Sequence, residues 1–301
     1  MKIEEVLAEG YGKLEKRGSD NPHLEAEILL SHILKKPREY LFAHPEAELN
    51  QLQITNYKLR INQRLHGEPI AYITGEKEFY GLKFFVDKNV LVPRPETELM
   101  VDAARQLAIS NPPAGEAGYE LTMIDIGTGS GCIIITLAKK LKDLRFKIYD
   151  LRFFGTDISS KALTTAKKNA KLNGVGKNII FSRGNLLDPI LKSKILNLKS
   201  RIVILANLPY LTPTQIKNSP SIKFEPKLAL SAGPDGLKYY RRLFKQIKSA
   251  CLKNFVLLCE IDPSQKRSIS ALAKKILPPH QIEIKKDLRG HSRLAIITGK
   301  Q

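Results

Sequence analysis

The residues best placed to do chemistry in this chain are Asn207-Leu208-Pro209-Tyr210. An asparagine side-chain oxygen accepts a hydrogen bond, and the main-chain carbonyl of Leu208 offers a second acceptor one residue on. Two convergent acceptors followed by an aromatic plate suit a planar group bearing an NH2, such as a carboxamide or the amino edge of a base. The apolar run Ile202-Val203-Ile204-Leu205 reads as a buried strand, so Asn207 stands at a strand end, and Pro209 stops the strand from continuing. Taken alone, the four residues are equally compatible with a polar turn closing a core strand.

What lies upstream shifts the balance. Asp125-Ile126-Gly127-Thr128-Gly129-Ser130-Gly131 follows a strand and opens a helix, Cys132–Leu141. Glycines here let the backbone turn sharply and approach a ligand that a Cβ would block. A dinucleotide-binding loop reads G-x-G-x-x-G. This loop is G-x-G-x-G with an acidic residue two before the first glycine, a pattern better matched to a ligand with an adenosine and an amino-acid tail than to a diphosphate. A glycine-rich turn without a ligand is the plain alternative.

A second strand, Phe153–Asp157, ends in a carboxylate able to accept both ribose hydroxyls. Asp157 lies thirty residues past Gly127, and a loop insertion over Lys142–Leu151 accounts for the extra length. After a third strand, Asn185 is placed to read the amino edge of adenine, while Leu186 and Leu187 cover its face. Successive strand ends thus offer polar groups along one edge of a parallel sheet, where open α/β sheets bind ligands. The joint pattern predicts S-adenosylmethionine as cofactor, S-adenosylhomocysteine as its product, and methyl transfer to a nitrogen held by Asn207–Tyr210. No metal-ligating spacing accompanies it.

These residues need a scaffold. From Leu121 onward, apolar runs alternate with helical patterns, the signature of an α/β sheet with helices on both faces. Seven strands are predicted: Leu121–Ile126, Phe153–Asp157, Asn178–Ser182, Ile202–Ala206, Asn254–Glu260, Gln281–Lys285 and Arg293–Thr298. Before them, Pro93-Arg94-Pro95-Glu96-Thr97-Glu98 leads into a helix, and Glu96 and Glu98 read first as carboxylates in its positive first turn. Residues 110–119 read as a loop. Residues 1–70 form a small helical domain: Ile3, Val6, Leu7, Tyr11 and Leu14 fall at helical spacing, Asn21-Pro22 reads as N-cap and N1, a short helix follows Pro37, and another runs from about Leu49 to Leu65. Residues 71–92 alternate β-prone segments, Ala71–Ile73 first among them, with Gly75, Gly81 and Asp87, and read as a hairpin-like connector to a catalytic domain over 93–301.

With its motifs placed, the chain resembles the HemK/PrmC family of peptide chain release factor glutamine methyltransferases over nearly its whole length. The similarity runs through Pro69-x-x-Tyr72-x-x-Gly75, Pro93–Glu98, Asp125–Gly131, Asp157-Ile158-Ser159, Asn207-x-Pro209-Tyr210, Phe224-Glu225-Pro226, Gly233-x-Asp235-Gly236-Leu237 and Asp287-Leu288-x-Gly290-x-x-Arg293. The resemblance implies a seven-stranded Rossmann-like class I methyltransferase fold with a helical N-terminal domain and a β-hairpin connector. It implies that Asp125, Gly127, Thr128, Gly129, Ser130, Gly131, Asp157, Asn185, Leu186 and Asn207 bind the cofactor. Asn207, Leu208, Pro209 and Tyr210 would hold the glutamine of the release factor's Gly-Gly-Gln loop, and Arg94, Glu96 and Glu98 would shape the substrate entrance. The chain departs from the family at Leu208, where a second proline is usual, at Asn185, usually acidic, at Leu186, often aromatic, and at Asp262, usually glycine.

The formal net charge is +19, yet residues 1–70 carry −1 and the remainder +20. A basic body steers polyanions, or it is a solvated lysine-rich surface without a partner. It supports a second reading, an adenine-N6 DNA or RNA methyltransferase, but fewer than a hundred residues follow Tyr210 and none are left for a target-recognition domain, so nucleic acid is not the expected direct substrate. A third reading is a binding protein that has lost activity. The three cysteines form no C-x-x-C pair, the N-terminus shows no apolar signal region, and no run approaches the eighteen apolar residues of a membrane span. A cytoplasmic monomer acting on class I release factors is the expectation.

Overall fold

The computed structural model describes residues 1–110, 119–143, 149–193 and 201–299. The chain divides into two compact units, Met1–Glu76 and Lys77–Gln301.

The first unit is helical: α1 Ile3–Lys16, α2 Pro22–Leu34, α3 Arg38–Ala43, α4 Gln51–Leu65 and α5 Ile70–Thr74. Their apolar stripes meet in one core built on Ile3, Val6, Leu14, Leu29, Leu30, Leu41 and Tyr57. Pro22 opens α2 at its first position as expected, and Asn50 caps α4 by accepting from the Gln53 amide at 2.9 Å. Ala71-Tyr72-Ile73, strand-prone by composition, instead form α5. Pro69 precedes that helix, Gly75 ends it at φ 75°, and burial of Ile73 in the helical core overrides a weak local preference.

At the boundary comes a hairpin, β1 Glu76–Phe79 and β2 Leu82–Phe85, turning at Tyr80 and Gly81, both at positive φ. No strand forms over Val90–Val92. A 3₁₀ turn, Pro95–Thr97, then leads into α6 Glu98–Ser110. The main sheet follows: β3 Tyr119–Ile126, α7 Cys132–Asp143, β4 Tyr149–Asp157, α8 Ser160–Leu172, β5 Ile179–Arg183, α9 Asp188–Lys192, β6 Arg201–Ala206, α10 Pro213–Lys217, α11 Lys238–Ser249, β7 Phe255–Glu260, α12 Lys266–Ile276, β8 His280–Lys286 and β9 Ser292–Gly299. All seven expected strands form, to within a few residues. Of the loop expected over Lys142–Leu151, residues 142–143 belong to α7 and 149–151 to β4; residues 144–148, and most of the loop expected over 110–119, lie outside the described residues.

The strand order is β5-β4-β3-β6-β7-β9-β8, parallel except for β9. Helices cover both faces. Met123, Val203, Leu205 and Leu258 pack with α6 and α7, while Ile124, Ile204, Leu257 and Cys259 pack with α11 and α12. Burial on both faces is why these strands read as continuous apolar runs. From β3 the chain winds outward through β4 and β5, then returns to place β6 on the other side of β3. The crevice at the carboxyl ends of β3 and β6 is therefore the sheet's topological switch point, where such folds bind ligands.

Candidate active site

Strand register brings the predicted residues together. Ile126 pairs with Thr156 on one side and Ala206 on the other, and Ala206 pairs with Cys259. The next residue of each strand is therefore Gly127, Asp157, Asn207 and Glu260, four chemically distinct groups in one row across the carboxyl edge. A cleft of about 180 Å³ opens above this row.

The glycine loop forms one wall. Gly127, Gly129 and Gly131 adopt φ of 70°, 55° and 81°. A Cβ on Gly127 would stand 3.3 Å from Leu208 Cδ2, and one on Gly131 would stand 2.6 Å from Ile135 Cδ1, so the loop approaches its neighbours only because both lack side chains. Gly127 and Thr128 donate their amides to the Thr156 carbonyl at 2.8 and 2.9 Å, tying the loop to β4. The Thr128 hydroxyl donates to Asp125 Oδ2 at 2.7 Å. Asp125 is fully buried, and burial raises its carboxyl to about 7.

Asp157 reaches the cleft with both oxygens already held: Oδ2 accepts from the Gly129 amide at 3.0 Å and Oδ1 from the Ser159 amide at 2.8 Å. Burial raises its pKa, against the pull of those amides. Beyond it, Asn185 and Leu186 line the cleft. Leu186 is in the left-handed region at φ 53°, held by the Thr156 hydroxyl donating to its carbonyl at 2.9 Å, and Gln246 donates to the Asn185 carbonyl at 3.2 Å.

On the opposite wall, Asn207 Nδ2 donates to Thr97 Oγ1 at 3.1 Å, and the Thr97 hydroxyl donates to Glu260 Oε2 at 2.7 Å. One N–H of the amide is thereby engaged by Thr97, which sets the nitrogen toward Thr97 and Oδ1, the acceptor, away from it. Leu208 and Pro209 line the cleft, with Leu208 only 3% exposed. Tyr210 is not among the residues lining the cleft: its hydroxyl donates to Glu260 Oε1 at 3.4 Å, and its carbonyl accepts from Gln265 Nε2 at 3.0 Å. Glu260 is fully buried and its carboxyl is raised to about 7, chiefly by desolvation. Of the entrance residues, Arg94 lines the cleft and pairs with buried Glu225, whose Oε2 also accepts from the Val92 amide at 3.3 Å. Glu96 and Glu98 are not part of the cleft wall, and Glu98 Oε1 accepts from the Tyr80 amide at 2.7 Å. The Asp262 departure is harmless to the backbone: φ is −66°, and the side chain caps the following turn by accepting from the Ser264 amide at 2.9 Å.

Sequence reasoning missed Thr97 and Glu260 as site residues, and Tyr239 and Leu228 as cleft walls. Only the position of Glu260 at the end of its strand signalled it. Among the described residues no group of His, Cys, Asp or Glu is disposed to hold a metal. The glycine cradle, the Asp157 carboxylate and the apolar Leu186 beside Asn185 fit an adenosine bearing an amino-acid tail. Asn207, whose side-chain oxygen is an acceptor, lines the cleft beside Leu208, and such an acceptor fits an NH2 group.

Residues 5–75 match the family of PrmC N-terminal domains, and residues 118–273 match a methyltransferase domain family. A release factor glutamine methyltransferase of Bacillus anthracis is 32% identical over 297 residues, covering 98% of each chain. That of Dictyoglomus turgidum is 32% identical over 293 residues, covering 97% of this chain and 96% of the relative. A bifunctional methyltransferase of Rickettsia bellii is 34% identical over 98% of this chain, but the chain spans only 54% of that relative's length. Among solved structures, the catalytic domain of hMettl16 in complex with an RNA hairpin of the MAT2A 3'UTR aligns with a TM-score of 0.54 at 14% identity, covering 90% of this chain and 91% of that one. The likeness is one of fold.

Proposed function

The chain belongs to the release factor glutamine methyltransferase family, and from that premise we propose that it methylates the side-chain amide nitrogen of the glutamine in the Gly-Gly-Gln loop of class I peptide chain release factors, using S-adenosylmethionine. This makes the chain a cytoplasmic partner of translation termination. It assigns the helical unit, residues 1–70 together with α5, to holding the release factor, the hairpin and the segment after it up to Val92 to a connector, and 93–301 to catalysis.

The cofactor supplies a methyl group activated on a sulfonium, and Gly127–Gly131, Asp157, Asn185 and Leu186 would hold it. What remains for the chain is to make a poor nucleophile react, since a carboxamide nitrogen has its lone pair delocalised into the carbonyl. Asn207 Oδ1 and the Leu208 carbonyl would each accept one N–H of the glutamine, turning the nitrogen lone pair toward the cofactor side of the cleft. Their negative dipole ends favour the positive charge that develops on that nitrogen. No dedicated base is required, because a methylated, positively charged amide loses its proton readily to water. Tyr210 is anchored through its hydroxyl to Glu260 and through its carbonyl to Gln265, which holds the end of the Asn207–Tyr210 turn.

The observation that carries this reading is the engagement of Asn207 Nδ2 by Thr97, which commits Oδ1 to accepting. The experiment offers the purified protein labelled S-adenosylmethionine with a release factor and, separately, with adenine-containing DNA and RNA, and maps the methyl by mass spectrometry. One methyl on the Gly-Gly-Gln glutamine is expected. Asn207→Ala should still bind cofactor while its turnover falls by about 10² to 10³, the loss typical of one preorganised hydrogen-bonding group. Label on nucleic acid alone would overturn the assignment.

A further inference from the structure

The two ends of an asparagine carboxamide have nearly the same shape, and a half-turn about the Cβ–Cγ bond exchanges an acceptor for a donor. An active site that reads an NH2 group through Asn207 Oδ1 therefore needs something that forbids the flipped amide. We propose that Thr97 and Glu260 are positioning residues that set which end of the Asn207 carboxamide faces the cleft, through a hydrogen-bond relay whose direction is imposed by the Glu260 carboxylate. The proposal rests on the methyl-transfer reading above and deepens it.

The direction follows from counting protons. An ionised carboxylate only accepts. Thr97 has one hydroxyl proton, and it goes to Glu260 Oε2 at 2.7 Å. Toward Asn207 the Thr97 oxygen is then an acceptor only, and at 3.1 Å it takes a proton from Nδ2. The flipped amide would oppose two oxygens with no proton between them. Water offers no relief, because Thr97 is 2% and Glu260 3% exposed. Glu260 is itself fixed: Oε1 accepts from the Tyr210 hydroxyl at 3.4 Å, and its main-chain carbonyl shares the one proton of the Tyr240 hydroxyl with the Ala206 carbonyl, which lies 3.0 Å from that hydroxyl. The relay thus links three elements, the 3₁₀ turn before α6, the end of β6 and the end of β7. Parallel pairing of Ala206 with Cys259 sets its last two members side by side.

The relay should also respond to pH. Protonated, Glu260 becomes a donor and Thr97 is no longer obliged to accept from Asn207. Burial pushes the Glu260 carboxyl up to about 7, Arg293 on β9 favours its charged form, and Glu96 on the 3₁₀ turn opposes it. Among the described residues, the phenols of Tyr210 and Tyr240 and the thiol of Cys132 also interact with it.

The test uses the full-length protein with S-adenosylhomocysteine bound and ¹⁵N in its side-chain amides, the Asn207 signal being identified by its loss in Asn207→Asp. In the wild type, one Asn207 NH2 proton should be protected from solvent exchange, and its shift should titrate with a midpoint near pH 7. Thr97→Val should abolish that protection and lower kcat for methyl transfer roughly ten- to a hundredfold, the penalty of an unsatisfied buried group. KM for S-adenosylmethionine should stay within about twofold, because the relay lies on the wall away from Asp157. Thr97→Ser, which keeps the hydroxyl, should restore both readouts. Glu260→Gln should remove the pH midpoint from the amide shift, an arm that stands even if the valine variant does not fold. Unchanged protection and kcat in Thr97→Val, or a midpoint that persists in Glu260→Gln, would overturn the relay. If the wild type methylates no glutamine, the functional assignment fails while the amide signal still decides the relay.

Discussion

Asn169 on α8 offers a sharp test of how the cofactor loop is supported. Its side chain is fully buried and makes three hydrogen bonds to main chain. Oδ1 accepts from the Phe85 amide at 2.7 Å, while Nδ2 donates to the Phe85 carbonyl at 2.9 Å and to the Ser130 carbonyl at 2.9 Å. One side chain thus ties β2 to the glycine loop. Each bond contributes roughly 0.5–1.5 kcal/mol net, so removing all three should cost about 1.5–4.5 kcal/mol. Alanine's better helix propensity offsets only a few tenths of a kcal/mol of that. We expect Asn169→Ala to lose about 3 kcal/mol in urea unfolding followed by far-ultraviolet circular dichroism, the chain having no tryptophan to report by fluorescence. Asn169→Asp is the discriminating variant: it keeps the acceptor for the Phe85 amide but sets a carboxylate against two carbonyl oxygens, so it should be the less stable of the two at pH 7.5. A loss below about 0.5 kcal/mol for alanine, or an aspartate variant more stable than the alanine one, would refute the clamp.

Two further outcomes follow from the same site. Gly131→Ala should lose about 2–4 kcal/mol, combining left-handed strain at φ 81° with a Cβ placed 2.6 Å from Ile135 Cδ1, whereas Gly174→Ala, at φ 73° with open space around it, should lose only the strain of about 1–2 kcal/mol. Equal losses in thermal or urea unfolding would show that close packing at Gly131 is unimportant. The second outcome concerns pH. The folded protein holds the Asp125 proton more tightly than the unfolded chain, so this carboxyl's contribution to stability is present below about pH 4 and is lost as pH rises through about 7. Relative to Asp125→Asn, the wild type should therefore become less stable by about 2–4 kcal/mol between pH 4 and pH 8, and a difference flat in pH would rule out the raised carboxyl.

Much of this architecture is legible in the order of residues. Strands such as Ile202–Ala206 are apolar throughout because both faces are covered, and that burial is a composition signal. The glycine loop announces itself through residues no other backbone geometry needs, and Asn207-Leu208-Pro209-Tyr210 through an acceptor at a strand end. Local strand preference misled at Ala71–Ile73, where core packing of Ile73 decided for helix. Tyr210 reads as an aromatic plate, but the partner of its hydroxyl, Glu260, fifty residues on, is invisible in the sequence. The helix-start chemistry of Glu98 was visible from its position after Pro95, although its partner, the Tyr80 amide, was not.

The sequence by itself determined the two helical and α/β units, the seven strands and the polar residues at their carboxyl ends, because periodicity, glycine placement and burial are properties of neighbouring residues. Only the tertiary structure decided that Asn207 answers to Thr97, 110 residues earlier, and Thr97 to Glu260, 163 residues later. Those partners meet through the register of β6 against β7 and the entry of the turn before α6. Register is a choice among pairings of similar apolar strands, and it is made by the packing of the whole sheet rather than by any segment of it.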